Sequence, residues 1–350
     1  MSKQTYCPLP SMAIHDAAPS SYSPCCHIDD TSFRKYDSVQ DYLKSDELES
    51  LKHNLANGVK DPRCNHCWKA EELGISSLRQ DSNKDFRFVD SVGGIQQVHL
   101  QTGHLCNISC MMCSPGVSSN LSQLWKTKSL HEYHKWWRGP KLEYRQDLED
   151  LIKQNLNTVK AIDVSGGEPL YGKKFLNLID HIIEKNMHKK ISLYITSNGT
   201  QLNDRLCKKL LKFKKVVIMT SIDGIGAVND YIRWGSNFKE VEKNFIKITK
   251  LFDYTIATCV SALNVHRYHE IKDFAKYHNA HIEHVMVKDI PAIDPWNCPE
   301  ELKSTVSDEH REIVSRQGNK GLLKKYIRLW DEQRGIKITD YMPEFEVIIK

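Results

Sequence analysis

Short apolar runs alternate with amphipathic stretches between about residue 95 and residue 290. The apolar runs are rich in β-branched residues and end in polar or glycine residues, a pattern typical of buried strands. The stretches between them repeat apolar residues at three- and four-residue steps, which predicts helices with one buried face. The predicted helices are FLNLIDHIIEKN, DRLCKKLLKF, FKEVEKNFIKITKLF and HRYHEIKDFAKYH. The six predicted strands lie in IQQVHLQT, TVKAIDVSGGEP, KKISLYITSNGT, KKVVIMTSIDG, YTIATCVSAL and AHIEHVMVKDI.

Strand–helix alternation through six units predicts an α/β fold with a parallel sheet and right-handed crossovers. The pattern fits an open doubly wound sheet and a barrel equally well. Polar and glycine residues follow four of the strands, at 106–113, 166–169, 197–199 and 221–224. The C-terminal ends of parallel strands lie at one edge of a sheet, where α/β folds build their sites. We therefore expect these four loops to converge.

The two ends of the chain have a different pattern from this core. Residues 1–90 contain short extended pieces, dispersed cysteines and a helical stretch, DYLKSDELESLKHNLANG, that Gly58 closes. They predict a small cysteine-bearing module ahead of a core domain at residues 91–298. Residues 299–350 are polar and helical and predict a C-terminal helical extension.

Composition narrows the possible classes of function. The chain is 40% hydrophobic and 27% charged, as in ordinary globular proteins, and its formal charge of +5 does not indicate nucleic-acid binding. No apolar run approaches the roughly 18 residues of a membrane span, and the start, MSKQTYCPLP, has no apolar signal core. Eleven cysteines in such a chain indicate metal or redox chemistry in a reducing compartment. We expect a cytoplasmic protein.

The first candidate site is the run HLCNISCMMCSP, in which Cys106, Cys110 and Cys113 have C-x3-C-x2-C spacing. Three thiolates on one short loop can bind three irons of a cubane cluster and leave the fourth iron open. An electron-transfer cluster takes four cysteines instead. Zinc sites also use closely spaced cysteines, so the spacing alone leaves both a cluster and zinc open.

The second candidate site is the loop Gly166-Gly167-Glu168-Pro169, at the end of the next predicted strand. Two glycines let the backbone approach a ligand closely, and the carboxylate beside them can accept hydrogen bonds from an ammonium group. A plain strand-to-helix turn favours the same residue types.

Together the two motifs resemble those of the radical S-adenosylmethionine (radical SAM) superfamily. The resemblance implies a partial (β/α)6 barrel in which Cys106, Cys110 and Cys113 hold a catalytic 4Fe-4S cluster that binds S-adenosylmethionine. An external one-electron reductant of the flavodoxin or ferredoxin type then drives cleavage to a 5′-deoxyadenosyl radical, which abstracts a hydrogen from the substrate. The loop from Gly166 to Pro169 would hold the amino group of the cofactor.

The resemblance implies further cofactor contacts. Met112 stands where relatives often carry an aromatic residue, and its thioether can pack against adenine. Ser197 and Asn198 match a loop that commonly contacts the ribose hydroxyls. Ser221 and Arg233 are similar to residues of the SPASM and twitch branch that contact the cofactor carboxylate, and an arginine suits such a contact. A plain turn and a surface arginine are the alternatives.

A third candidate site lies in the N-terminal module. Cys64 and Cys67 have the C-x2-C spacing of metal ligands, and Cys7 and Cys25 supply two more thiols, with Cys26 in reserve for Cys25. Four cysteines complete either a tetrahedral zinc site or a closed iron–sulfur cluster. The string resembles twitch-type auxiliary-cluster domains, here placed before the core as in a group of radical SAM proteins that includes many encoded by phages. The resemblance therefore implies a second 4Fe-4S cluster.

The substrate stays open at this stage. Twitch and SPASM relatives often modify peptides or proteins, so a peptide or protein is the substrate class that the resemblance implies. The segment HEYHKWWR at residues 131–138 combines aromatic and basic side chains that can stack bases, but we expect a solvated insertion there. The alternative function is a non-catalytic zinc-binding interaction module on an α/β scaffold.

Overall fold

The computed structural model describes residues 4–17, 21–28, 33, 36, 38–84, 93–125, 141–287 and 290–349. The aromatic and basic segment at residues 131–138 lies outside the described residues.

Ten strands are described, and eight of them form one sheet. The strands are β1 (Ala13–Ala17), β2 (Ser21–Ser23), β3 (Gln97–Gln101), β4 (Ser109–Cys110), β5 (Ala161–Ser165), β6 (Ser192–Ser197), β7 (Lys215–Ser221), β8 (Arg233–Trp234), β9 (Asp253–Val260) and β10 (His281–Met286). The sheet has the order β10-β9-β7-β6-β5-β3-β1-β2. Every neighbouring pair is parallel except β1 and β2.

All six predicted core strands are confirmed, as β3, β5, β6, β7, β9 and β10. They follow one another across the sheet in chain order, with no reversal of direction. A doubly wound sheet reverses its strand order at a switch point, whereas a barrel winds in one direction. The structure is therefore a mostly parallel α/β sheet wound as a partial (β/α) barrel.

The described helices cover the segments between the strands and both ends of the chain. They are α1 (Leu9–Met12), α2 (Val39–Leu43), α3 (Asp46–Ala56), α4 (Asn65–Glu72), α5 (Leu78–Lys84), α6 (Ser119–Leu124), α7 (Gln146–Gln154), α8 (Lys173–Glu184), α9 (Asp204–Leu210), α10 (Ala227–Ile232), α11 (Phe238–Leu251), α12 (Tyr268–Tyr277), α13 (Asp308–Val314), α14 (Lys320–Arg334) and α15 (Glu346–Ile349). The four predicted core helices are α8, α9, α11 and α12.

The single helical stretch predicted ahead of Gly58 is wrong in one respect, because it forms two helices, α2 and α3. Ser45 separates them: its backbone is extended, and its side chain accepts a hydrogen bond from the N–H of Leu48. A serine in that position is a strong N-cap and starts a new helix. Gly58 follows α3 with a φ of +83°, as its role in closing the stretch requires.

The main core lies between the sheet and its helices. Along the strands, Val98, Ile162 and Leu193 are fully buried against helices α7, α8 and α9. Neighbouring residues along a strand point to opposite faces, so His99 and Asp163 face away from these helices. We call that opposite side the inner face of the sheet.

The N-terminal segment extends the sheet. Strand β1 lies parallel to β3, with Ile14 opposite Val98, and β2 pairs with β1 at the edge. The predicted module at residues 1–90 therefore shares two strands with the core sheet, while its predicted boundary falls in a stretch outside the described residues. Throughout the ranges that are described, no helix has both the length and the apolar character that crossing a membrane requires.

The C-terminal extension has a buried face. On α14, Leu323, Tyr326, Ile327 and Trp330 are fully buried at steps of three and four residues. They share a core with Met111 from the cysteine loop. The extension is polar by composition, but the buried face of α14 packs against the cysteine loop of the candidate site.

Candidate functional site

The three predicted cluster ligands meet in one place. Cys106 and Cys110 are buried around Ile108, with Cys113 and Met112 packed against them. The backbone N–H of Cys106 donates to the hydroxyl of Ser119 at the start of α6, at 3.1 Å. Cys110 lies in β4, where it pairs with Arg233 of β8. The loop thus presents three thiols within a small apolar setting.

The Gly-Gly-Glu loop packs directly on the cysteine loop. The N–H of Gly167 donates to the carbonyl of Gly103 at 2.8 Å, and the N–H of Glu168 donates to that of Leu105, also at 2.8 Å. Gly166 has a φ of +119°, and a Cβ on Gly167 would lie 2.3 Å from the Leu105 carbonyl oxygen. Both positions therefore require glycine, because the two loops are in backbone contact.

Glu168 links this loop to the next one. Its carboxylate is buried and accepts hydrogen bonds from the Leu170 N–H at 3.0 Å, the Ser197 hydroxyl at 2.9 Å and the Asn198 N–H at 2.7 Å. Burial raises the pKa of this carboxyl, and these donors lower it in part. A carboxylate has about four acceptor positions, and the described residues fill three of them, which leaves one for a further donor. Pro169, which follows, is buried.

The third loop also reaches the cysteines. The amide of Asn198 donates to the Asn107 side chain at 3.0 Å, and its nitrogen lies 4.0 Å from the Cys106 sulfur. Asn107 in turn donates to the hydroxyl of Thr200 at 2.8 Å. Ser197 and Asn198 are thus at the site, and their contact with a ribose stays a prediction.

The fourth loop contributes an ion pair. Arg233 donates from Nη1 to Asp223 at 2.6 Å, and its side chain is only 11% exposed. The alternative of a surface arginine is therefore wrong. Burial lowers the pKa of Arg233, but Cys110 and Asp223 more than offset it, so the guanidinium stays charged. Its Nε is enclosed without a described partner, and Ser221 is half-buried at the end of β7.

Two residues of the C-terminal extension hold the cysteine loop and were not predicted from sequence. The hydroxyl of Tyr326 donates to the Met111 carbonyl at 2.6 Å. Arg334 donates to the carbonyls of Tyr231 at 2.7 Å and Ser109 at 3.2 Å. The 3.6-residue spacing of apolar residues on α14 is the signal that identifies its buried face.

The N-terminal cysteines surround a separate cavity. Cys7, Cys25, Cys64 and Cys67 line one small cavity, whereas Cys26 is exposed. Burial raises the pKa of Cys7, Cys25 and Cys64 to about 12. Such thiols lose their protons when they bind a metal, because the thiolate is the ligand.

Side chains beside this cavity are held by a dense set of hydrogen bonds. Arg79 lines the cavity and donates to both carboxylate oxygens of Glu71, at 2.9 and 2.6 Å, and to the Tyr6 carbonyl at 2.9 Å. The hydroxyl of Ser77 donates to the same carboxylate.

In the chain as far as it is described, no three His, Cys, Asp or Glu side chains stand close enough to bind a single metal ion. Four thiols are soft donors and suit iron–sulfur clusters and zinc alike.

The inner face carries a pair of histidines on the neighbouring strands β1 and β3. The rings of His15 on β1 and His99 on β3 stack with 4.2 Å between their centroids. His99 Nε2 lies 2.8 Å from the hydroxyl of Ser165, the residue before the Gly-Gly-Glu loop. Burial lowers the pKa of His15 to about 3 and that of His99 to about 4, so both rings are neutral near pH 7.

Comparison with solved structures finds similar chains. Among them are anSMEcpe with bound AdoMet (18% identity over 69% of this chain and 62% of that chain, TM-score 0.42) and Streptococcus suis SuiB bound to precursor peptide SuiA (13% over 79% and 67%, TM-score 0.42). The radical S-adenosylmethionine methyltransferase TsrM from Kitasatospora setae, with cobalamin and a [4Fe-4S] cluster bound, is 13% identical over 63% and 41%, with a TM-score of 0.37. The chain thus spans less than two thirds of anSMEcpe.

No curated protein matches the chain. Residues 100–277, just over half of the chain, match the Radical SAM superfamily. The match includes the cysteine loop and the three loops that pack around it. The chain therefore belongs to the radical SAM superfamily.

Proposed function

We propose that this chain is a radical SAM enzyme of the twitch and SPASM type with two 4Fe-4S clusters. Cys106, Cys110 and Cys113 hold the first cluster, and the N-terminal cysteines, Cys7, Cys25, Cys64 and Cys67, hold the second. The observation that carries the proposal is the backbone contact between the cysteine loop and the Gly-Gly-Glu loop. That contact brings a set of three thiols together with a buried carboxylate that has one free acceptor position.

When bound, the core cluster and S-adenosylmethionine would supply reductive cleavage of S-adenosylmethionine and, through the 5′-deoxyadenosyl radical that results, hydrogen abstraction from the substrate. The protein binds and orients these groups. The free acceptor position of Glu168 suits the ammonium of the cofactor, with Gly166 and Gly167 allowing the close approach. Arg233, whose Nε has no described partner, suits the carboxylate together with Ser221.

The remaining cofactor contacts follow from neighbouring side chains. Asn198 lies beside Cys106 and Ser197 precedes it, and their amide and hydroxyl groups suit ribose hydroxyls. Met112 packs against the cysteines and against the C-terminal core, where a thioether can cover an adenine ring.

The substrate would occupy the space between the inner face and the N-terminal module. His15 and His99 support this location, because their neutral rings offer hydrogen-bonding groups without charge. A peptide or protein is the proposed substrate class, by resemblance to the twitch and SPASM branch. The second cluster would bind the substrate or accept an electron from its radical.

The proposed partners and location follow from the same chemistry. A flavodoxin or ferredoxin type of protein would supply the electron. Cysteines that hold iron–sulfur clusters and not disulfides favour a reducing compartment such as the cytoplasm.

The rival function is a non-catalytic zinc-binding module, and a mixed protein would hold a core cluster and an N-terminal zinc. Anaerobic reconstitution followed by metal and sulfide analysis separates the three. Two clusters give about eight irons and eight sulfides per chain, and a core cluster with zinc gives about four of each. Zinc without iron would support the rival.

Activity is tested on the same preparation. Reconstituted protein with dithionite and S-adenosylmethionine should form 5′-deoxyadenosine. The triple variant Cys106→Ala, Cys110→Ala, Cys113→Ala should form none and should keep any metal bound by the N-terminal cysteines. Complete absence of cleavage by iron-loaded wild type would reject the enzymatic proposal.

A further inference from the structure

Two arginines, Arg233 and Arg334, lie beside the same proposed cluster ligand, Cys110. Arg233 pairs with Cys110 across the short β4–β8 ladder. Arg334, at the end of α14, donates at 3.2 Å to the carbonyl of Ser109, the residue before Cys110. Both side chains thus belong to segments in direct backbone contact with the loop that carries Cys110.

The two arginines differ in how their charge is compensated. Arg233 forms an ion pair with Asp223 at 2.6 Å. Arg334 donates only to two neutral carbonyls and lies over the rings of Trp330 and Trp234, at 4.1 and 5.0 Å from their centroids. No carboxylate of the described residues forms an ion pair with Arg334, and its Nε is enclosed without a partner among them. The charge of Asp331, on the same helix, raises the pKa of Arg334, but its two oxygens accept hydrogen bonds from Tyr231 and the Ile338 N–H instead.

A charge in such surroundings needs a counter-charge. Removing a guanidinium from water is costly unless an anion or a set of good hydrogen bonds replaces the water. Burial lowers the pKa of Arg334 to about 10, so the group is still protonated at neutral pH. The adjacent loop carries Cys106, Cys110 and Cys113, which become anionic thiolates when they bind iron.

The net charge of the cluster determines whether a nearby arginine favours or opposes its reduction. A 4Fe-4S core of charge 2+ with three thiolates carries a net charge of −1, and the electron from the external reductant makes it −2. A nearby positive charge stabilises the doubly negative form more than the singly negative one. Net charge and its surroundings are known to set the potentials of such clusters.

We propose that Arg334 is a positioning residue through which the C-terminal extension places a positive charge, without an ion-pair partner among the described residues, beside Cys110 and favours one-electron reduction of the core cluster. The inference rests on the proposed function. It gives residues 299–350 a role in the chemistry beyond covering the core.

The test is a redox titration of the reconstituted full chain, followed by electron paramagnetic resonance. The signal that changes on addition of S-adenosylmethionine reports the core cluster and not the second one. Arg334→Met and Arg334→Gln remove the charge, Arg334→Lys keeps it, and Arg328→Met removes an exposed charge of the same helix. We expect the two neutral variants to lower the equilibrium constant for reduction about tenfold, or about 59 mV for one electron.

Arg334→Lys should stay closer to wild type than either neutral variant, and Arg328→Met should equal wild type. Equal potentials for the lysine and glutamine variants, each with full iron, would overturn the inference. If Arg334→Met does not bind iron, the reduction potentials of Arg334→Lys and Arg334→Gln are compared alone, and equal potentials again overturn the inference. A wild type without any signal that responds to S-adenosylmethionine would instead reject the proposed function.

Discussion

The carboxylate of Glu168 accepts a hydrogen bond from the hydroxyl of Ser197, with 2.9 Å between the two oxygens. This bond joins the loop after β5 to the loop after β6 beneath the cysteine loop. Glu168 is fully buried, so its carboxylate oxygens take their hydrogen bonds from protein groups and not from water. The site therefore depends on a carboxylate that both connects the loops and offers an acceptor to a ligand.

Glu168→Gln should weaken both the connection between the two loops and the binding of the cofactor. One side of the amide is a donor and would face the N–H groups of Leu170 or Asn198, which leaves buried donors unsatisfied at a cost of about 1–3 kcal/mol. We expect at least a tenfold loss of S-adenosylmethionine affinity in calorimetry and a lower free energy of unfolding. Glu184→Gln, at an exposed position, should change neither. Unchanged affinity in Glu168→Gln would exclude Glu168 from cofactor binding.

Gly167→Ala should separate the two contacting loops. A Cβ there would meet the Leu105 carbonyl at 2.3 Å, so the backbone must shift. We expect iron-loaded protein with at least a hundredfold less 5′-deoxyadenosine formation. Gly172→Ala is the matched control, because its Cβ would make only an ordinary 3.7 Å contact with the Leu105 side chain. Equal losses in the two alanine variants would show that the close approach is unimportant.

The second metal site should depend on Cys64 and not on Cys26. Cys64 lines the cavity with three other thiols, whereas Cys26 is exposed. Cys64→Ala should lose the metal of the N-terminal site and keep the core cluster, measured by iron, sulfide and zinc analysis. Cys26→Ala should match wild type. Loss of metal in Cys26→Ala alone would reassign the ligand.

Asp61→Asn should destabilise the N-terminal region in a pH-dependent way. Hydrogen bonds from Arg63, and one from Asn54, lower the pKa of Asp61 from 3.8 to about 2. A lowered carboxyl pKa gives stability that is present above pH 3.8 and is lost as pH falls through 2. We expect a loss of about 1–2 kcal/mol at pH 7 and almost none near pH 2, from urea unfolding of the metal-free chain.

Asp308→Asn is the control for that measurement, since its side chain is 87% exposed. It should change the free energy of unfolding by less than about 0.5 kcal/mol at either pH. A loss for Asp61→Asn that is the same at pH 7 and pH 2 would contradict the pKa argument.

The sequence by itself determined the core strands and the loops that carry the chemistry. Apolar runs of β-branched residues mark strands wherever both faces are covered, and glycines mark places where backbones approach closely. For that reason the cysteine loop and the Gly-Gly-Glu loop were predictable as neighbours at one end of a parallel sheet. Their shared backbone contact confirms that expectation.

Tertiary structure alone decided which side chains complete the site. Strand order separated a barrel from a doubly wound sheet, because periodicity along a chain carries no information on which strands are neighbours. Arg334 follows the cysteine loop by more than two hundred residues. Only folding of α14 onto Met111 brings its charge beside Cys110, since the hydrophobic burial that places it acts between segments far apart in sequence.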